Sequence, residues 1–387
     1  MKFVTICAIN QNMSIPGDKV KLLIVLFALC VFFSDCRRKS SKHLTLFAPE
    51  NNNIKYTGRI DFKNPQRPRL AGAGSYFKFK FRGSSCNVFL KDQNLYDNFN
   101  YFSIAVDGKY LGRIRLKKNK TKYQVVKNLR DTVHTLLVCK ATEAQNGYVE
   151  FLGILCSEIM PLEKTDMRKI EFIGNSITCG MGLDMSDLQC DSGEWFDQHN
   201  AYLAYGPVVA RELNANWFLS SVSGIGITRF WNSPGPTMPE VYYNTYLSTD
   251  TSSLWDINTY IPDLVSICLG TNDFSDGDGS YERPELDSAE FVSAYIRFVG
   301  SIRDQYPYAQ ICCLTSPMLE GEKNIRLKNY LSAVITYMQD VKNDNMIQMF
   351  SFSRSYVSGC DYHPDKEDHR KMAEELLPFF KQIMKWK

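Results

Sequence analysis

The sequence predicts two successive domains of different class: an all-β sandwich of the jelly-roll kind over residues 44–160, then an α/β domain with a parallel sheet over residues 166–387. Three observations carry this. Between residues 44 and 157, short segments alternate apolar and polar residues at period two, broken by glycine and asparagine, with no helical period. Residues 161–168 form a polar, charged bridge. Beyond it, near-continuous apolar runs alternate with stretches whose apolar residues recur at helical spacing, as in a parallel sheet covered on both faces.

Taken in order, residues 1–38 have the layout of a secretory signal. Lys19 and Lys21 precede the apolar run 22–33, which is too short to span a bilayer. The mature chain is therefore expected to be exported: secreted, periplasmic or lipid-anchored at the bacterial envelope. Phe33-Ser34-Asp35-Cys36 is similar to a lipoprotein cleavage site with Cys36 as the lipidated residue, although Asp35 departs from that pattern. Without this segment about 350 residues remain, enough for two cores.

A net charge of +3, from 45 basic and 42 acidic residues, creates no field for nucleic acid or an anionic surface. The 44% hydrophobic and 13% aromatic content supports sizeable cores, and the aromatic share suits a protein that handles sugars. Of the 12 cysteines, Cys7, Cys30 and Cys36 lie in the signal region. Cys179 and Cys190 either bridge across a loop or stay single, and most of the others read as buried thiols. Cys312-Cys313, inside an apolar run, reads as strand packing rather than metal binding.

In the first domain, Tyr76-Phe77-Lys78-Phe79-Lys80-Phe81 has the alternation of a half-buried strand. Further strands are expected at 87–91, 101–106, 111–116, 134–140 and 148–155, with a turn at Asp107-Gly108. No catalytic constellation stands out there. In the second domain, strands are expected at 170–173, 217–222, 264–269 and 310–314, and helices at 201–213, 289–304, 327–341 and 369–384. Phe291, Tyr295, Phe298, Val299 and Ile302 form one core stripe; Tyr330, Leu331, Val334, Ile335 and Met338 form another.

Polar residues stand where the second domain's strands end, which is where such sheets hold ligands. The run through Ile170, Phe172 and Ile173 stops at Gly174, and Ser176 follows as a candidate nucleophile. Ser223-Gly224-Ile225-Gly226 follows the next strand; a dinucleotide fingerprint fails because Arg229 occupies the third glycine position. Gly270-Thr271-Asn272-Asp273 places a carboxamide at the sheet edge. In Cys360-Asp361-Tyr362-His363-Pro364 the proline holds a non-helical loop and makes His363 the candidate base, whereas His369 reads as a capping or packing residue.

Gly-Asn-Ser, Ser-Gly, Gly-Thr-Asn-Asp and Asp-Tyr-His-Pro occur in the chain order of the SGNH (GDSL-like) hydrolases. Asn175 to Gly180, Ala201-Tyr202-Leu203-Ala204-Tyr205-Gly206, Pro262-Asp263-Leu264, Leu269 to Phe274 and Tyr306-Pro307 resemble carbohydrate esterase family 2. The resemblance covers nearly the whole mature chain. It implies a jelly roll paired with a flavodoxin-like, three-layer SGNH domain, with Ser176 as nucleophile and His363 as general base and acid. It also implies an oxyanion hole built from the amides of Ser176 and Gly224 and the side chain of Asn272. Two positions depart from the pattern: Asn175 replaces an aspartate, and Cys360 stands where the triad aspartate is usual. Asp361 or a backbone carbonyl then orients His363, since members of that family work with a Ser-His dyad.

The family removes O-acetyl groups from plant polysaccharides such as xylan and glucomannan, so an acetylated polysaccharide or oligosaccharide is the expected partner. Trp195, Phe230, Trp231, Tyr242, Tyr243 and Trp255 lie between expected elements, and Trp231 and Trp255 are the first picks for stacking on sugar rings. No cofactor or metal is expected. An α/β-hydrolase elbow needs Gly-x-Ser-x-Gly, which the sequence lacks at Ser176. The acidic stretch 276–282 fails as a calcium loop because its glycine is misplaced. The alternatives are a catalytically weak carbohydrate-binding protein and an SGNH acyl hydrolase for lipids or other small esters.

Overall fold

The computed structural model describes residues 43–93, 97–163 and 167–387; the expected signal segment and Cys36 fall outside them. The first half is a sandwich of two six-stranded sheets whose strand pairs are all antiparallel. One sheet runs Ile60–Asp61, Arg69–Leu70, Tyr148–Cys156, Cys86–Gln93, Lys122–Val126, with Thr45–Phe47 also on Tyr148–Cys156. The other runs Glu158–Met160, Tyr76–Gly83, Thr132–Lys140, Tyr101–Val106, Lys109–Arg115, with Lys55–Thr57 also on Tyr76–Gly83.

Period-two alternation does what it predicts. Phe77, Phe79 and Phe81 are buried between the sheets, while Lys78 and Lys80 on the opposite face are only partly covered. Phe77 stacks on Phe151 of the facing sheet at 4.1 Å. Asp107-Gly108 turns the Tyr101–Val106/Lys109–Arg115 hairpin with φ of 51° and 80°, the left-handed pair a two-residue turn requires. All six anticipated strands form. The six others, at two to five residues each, are too short for a period to register.

The second half is a five-stranded parallel sheet in the order Ala215–Ser221, Arg168–Gly174, Leu264–Cys268, Gln310–Leu314, Ile347–Phe350. This is the flavodoxin-like order, whose switch point lies between Arg168–Gly174 and Leu264–Cys268. Ile170, Phe172 and Cys312 face a layer formed by Tyr205–Glu212 and Lys366–Met384. Ile173, Val265 and Cys313 face Ser288–Gln305 and Gly321–Asp340. The first helical stripe is buried throughout; in the second, Leu331, Val334 and Met338 are buried while Tyr330 and Ile335 pack at its margin.

One second-domain expectation needs correcting, and one strand has no counterpart among the expected elements. Residues 201–213 are not one helix. A 3-10 turn, Ala201–Leu203, ends at extended Ala204, and the helix restarts at Tyr205–Glu212. Pro207 has no N–H and fits only in a helix's first turn, which sets that start. The edge strand Ile347–Phe350 was not anticipated, its four residues lying just beyond a polar turn.

The halves pack as one compact unit, Leu44–Lys387. Tyr76 lies 4.4 Å from Trp217, and Ala73, Ala105 and Cys139 join the core beneath Ile170 and Leu219. Arg59, fully buried, reaches from the sandwich into the second domain. Its Nη2 donates to Ser220 Oγ at 2.9 Å, and Ser220 Oγ donates to Glu171 Oε1 at 2.6 Å.

Candidate active site

Ser176 opens the short helix that follows strand Arg168–Gly174. At Gly174 a Cβ would meet Thr178 Oγ1 at 2.1 Å, so the chain passes there without a side chain. The Asn175 side chain then accepts the Ile177 amide at 3.1 Å, capping the short helix Ser176–Cys179. Asparagine thus keeps the local hydrogen bond in place of aspartate. As the first helical residue, Ser176 has an amide with no acceptor within its helix.

His363 comes from 187 positions away and its Nε2 lies 2.8 Å from Ser176 Oγ. Its Nδ1 lies 2.9 Å from the backbone carbonyl of Asp361. A carbonyl only accepts, so Nδ1 carries the proton and Nε2 offers its lone pair to the serine hydroxyl. Of the two groups left open for orienting His363, a backbone carbonyl, that of Asp361, does so, and the Asp361 carboxylate is corrected: the residue is exposed and its side chain does not meet the imidazole. Burial pushes the His363 imidazole below the usual histidine pKa, because water is withdrawn from its charged form, and neighbouring His199 adds to this.

The His363 loop is unusual backbone held on several sides. Asp361 and Tyr362 take φ of 50° and 56°, and His363 itself is extended before Pro364. The Gly359 amide donates to the His363 carbonyl at 2.7 Å, and the Cys360 amide donates to Gly182 at 3.1 Å. A disulfide joins Cys360 to Cys190. Of the two options left open for Cys179, the bridge to Cys190 is corrected: Cys179 is a buried free thiol that donates to Ser221 Oγ at 3.2 Å. His369 packs as expected, accepting the Tyr205 amide at 3.1 Å, and burial pushes its pKa down to about 3.

Ser176, Gly224, Asn272 and His363 line one cavity of about 690 Å³. Gly224 has φ +81°, and a Cβ there would meet Phe230 at 2.4 Å and Trp231 at 2.6 Å, so both conformation and space require glycine. The Asn272 Nδ2 donates one N–H to the Ile225 carbonyl at 2.8 Å, which fixes the carboxamide's orientation beside the same loop. Asp273, fully buried, accepts the Ile227 and Thr228 amides and latches the two loops together.

Trp231 lines this cavity, joined by Trp195 and Phe230. Trp255 does not, and that expectation is corrected. It faces a different groove, where it packs on Phe218 and lies over the Arg59 guanidinium at 5.3 Å. Tyr242 is buried and donates to Glu171. Sequence reasoning missed Gln145, a sandwich residue on the cavity wall, because no spacing signal links residue 145 to the strand ends of another domain. In the acidic stretch 276–282, Asp278 accepts from Ser280 and Asn232, as a turn residue does.

The parallel sheet and its strand-end cavity are those of the GDSL-like class of hydrolase. Residues 172–371 match the model of the GDSL-like lipase/acylhydrolase family, and residues 56–162 match that of the carbohydrate esterase 2 N-terminal region. The chain is similar to the cellulase/esterase CelE of Acetivibrio thermocellus, 33% identical over 87% of this chain and 40% of that protein. It therefore spans well under half the length of that relative. It is also similar to an acetylxylan esterase / glucomannan deacetylase of Cellvibrio japonicus, 26% identical over 95% of this chain and 100% of that protein. A solved family two carbohydrate esterase from Clostridium thermocellum, in complex with cellohexaose, is 32% identical. Its TM-score is 0.76, over 86% of this chain and 100% of that one. The chain belongs to carbohydrate esterase family 2.

Proposed function

We propose that the chain is an exported serine esterase that removes O-acetyl groups from a plant-type polysaccharide or oligosaccharide through an acetyl-serine intermediate. The observation that carries this is the 2.8 Å approach of Ser176 Oγ to His363 Nε2, with Nδ1 committed to a carbonyl. Ser176 Oγ attacks the acetyl carbonyl carbon while Nε2 takes its proton. The amides of Ser176 and Gly224 and the second N–H of Asn272 meet the oxyanion. As the tetrahedral carbon collapses, the bond to the sugar oxygen breaks and His363 returns the proton to that oxygen. A water, deprotonated by His363, then attacks the acetyl-serine; the bond from the acetyl carbon to Ser176 Oγ breaks, His363 returns the proton to Oγ, and acetate leaves.

The names of the Cellvibrio relative and of the cellohexaose complex support a carbohydrate substrate, and Trp231 and Trp195 provide aromatic faces for sugar rings at the cavity. A disulfide suits an oxidising compartment and supports export. The test is acetate release from acetylated xylan, glucomannan and other acetylated glycans, with longer acyl esters alongside. Acetate release that disappears with Ser176→Ala is expected. Binding without release would favour the carbohydrate-binding alternative, and preference for long acyl chains the lipid one.

Two further outcomes are expected. His363 must be neutral to accept a proton and its pKa is lowered, so kcat/KM should fall only at a pH below the ordinary histidine value of about 6.5. An acid limb centred above that value would contradict the buried geometry. Asp361→Asn should cost less than about tenfold in kcat, because the carbonyl that orients His363 remains and asparagine tolerates positive φ. Asp361's charge raises the His363 pKa, so the variant's acid limb should move to lower pH. A loss near that of His363→Ala would restore the carboxylate to the mechanism.

A further inference from the structure

We propose that Gln145 and Glu143, both from the sandwich, are positioning residues that aim the Gly224 amide at the developing oxyanion; this rests on the serine-esterase reading above. Gln145 Nε2 donates to the Ser223 carbonyl at 2.9 Å. That carbonyl and the Gly224 N–H belong to one peptide unit, which is trans. In a trans peptide C=O and N–H point in opposite directions in one plane, so holding the oxygen sets the direction of the N–H.

Glu143 grips the same residue from its other side. Its Oε2 accepts the Ser223 amide at 2.7 Å, and its Oε1 accepts the Ser223 hydroxyl and lies 3.1 Å from His199 Nε2. The carboxyl is fully buried. Burial alone would raise its pKa, but the hydrogen bonds from His199 and Ser223 hold it below the usual carboxylate range, so it accepts as an anion. The segment that presents it is itself tied down: Lys140 Nζ donates to the Glu143 carbonyl at 2.7 Å, and Asn100 to that of Asn146 at 2.9 Å. Beyond Gly224, the Trp231 amide donates to the Gly224 carbonyl at 2.9 Å. Every polar group of Ser223 is thus engaged by the sandwich, and the next peptide is secured from the other end. The sandwich is a wall of the active site, and the oxyanion loop is not aimed without it.

The test uses the full chain and an aryl acetate, with kcat, KM, thermal unfolding and inhibition by a boronic acid that forms a tetrahedral adduct on Ser176. Gln145→Met keeps size and loses the donor. It should lower kcat about tenfold or more with KM within about twofold, since a misaimed donor acts on the transition state and spares ground-state binding. Boronate affinity should fall by a similar factor. Glu143→Ala should act in the same direction. Glu143→Gln should recover most of the loss, because a carboxamide can accept the Ser223 amide and donate to its hydroxyl. Should Glu143→Ala fail to fold, Gln145→Met decides. Unchanged kcat in folded Gln145→Met, or a rise confined to KM that makes Gln145 a substrate contact, overturns the inference. Activity that survives Ser176→Ala in the same assay brings down the serine reading itself, a distinct result.

Discussion

Ser176→Ala is expected to lower kcat toward an aryl acetate by about ten-thousandfold or more, with the protein still folded. In the proposed mechanism the hydroxyl supplies the atom that attacks the acetyl carbon, and the side chain is small and already beside a cavity, so its removal leaves no unpaired donor in a packed core. His363→Ala should cost a comparable factor, because a serine hydroxyl at its free pKa is a poor nucleophile without the imidazole 2.8 Å away. The double variant should be scarcely worse than either single one, since groups that act in one step are not additive. Residual rate above the water reaction would come from the oxyanion donors. Single-turnover kinetics and a thermal melt on each variant check this. More than about a hundredth of wild-type kcat in folded Ser176→Ala would require another nucleophile.

Arg59→Met is expected to destabilise the folded chain by about 3 kcal/mol, the low end of the range for removing one partner of a buried ion pair, since here the two charges are joined through a hydroxyl. Arg59 and Glu171 do not touch directly; Ser220 Oγ joins them, and Tyr242 OH donates to both carboxylate oxygens at 3.0 Å. Without the guanidinium, the buried carboxylate keeps only neutral donors. Burial already holds the Glu171 pKa above the usual carboxylate value. A group whose folded pKa is raised adds stability below its unfolded pKa and loses it as pH rises through the folded value. The Arg59→Met deficit should therefore widen as pH rises from the acidic side toward and past neutrality. Urea unfolding at about pH 5 and pH 8 measures this, and Glu171→Gln added to Arg59→Met should recover part of the loss. A deficit under about 1 kcal/mol that does not change with pH would mean that water reaches the site.

Much of the site was legible because its residues stand at strand ends, which local apolar runs mark. Gly174, Gly224 and Asn272 each follow such a run, and the motif order carried Ser176 and His363 with them. The corrections at the site share one cause, contacts that no local run of residues marks. Asp361 and its carbonyl have the same address in the sequence, and only the left-handed φ of Asp361 and Tyr362 turns the oxygen toward Nδ1 and the carboxylate outward. Cys179 is nearer to Cys190 in sequence than Cys360 is, yet helix Ser176–Cys179 buries its thiol beside Ser221. Trp255, like Trp231, lies between expected elements, but it is paired with Arg59 across the domain boundary.

By itself the sequence determined the two domain classes and their order, the core stripes of the long helices, and the candidate hydroxyl, imidazole and carboxamide. Periodicity and strand-end chemistry are properties of a few consecutive residues, and they need no partner to be read. Only the tertiary structure decided which atom orients His363, which thiol closes the disulfide, which tryptophan meets the cavity, and that Gln145 and Glu143 reach the Ser223–Gly224 loop. Each of those is a distance of a few ångströms between segments separated along the chain or by backbone angles, set by how the sandwich and the parallel sheet pack and by where single residues take positive φ.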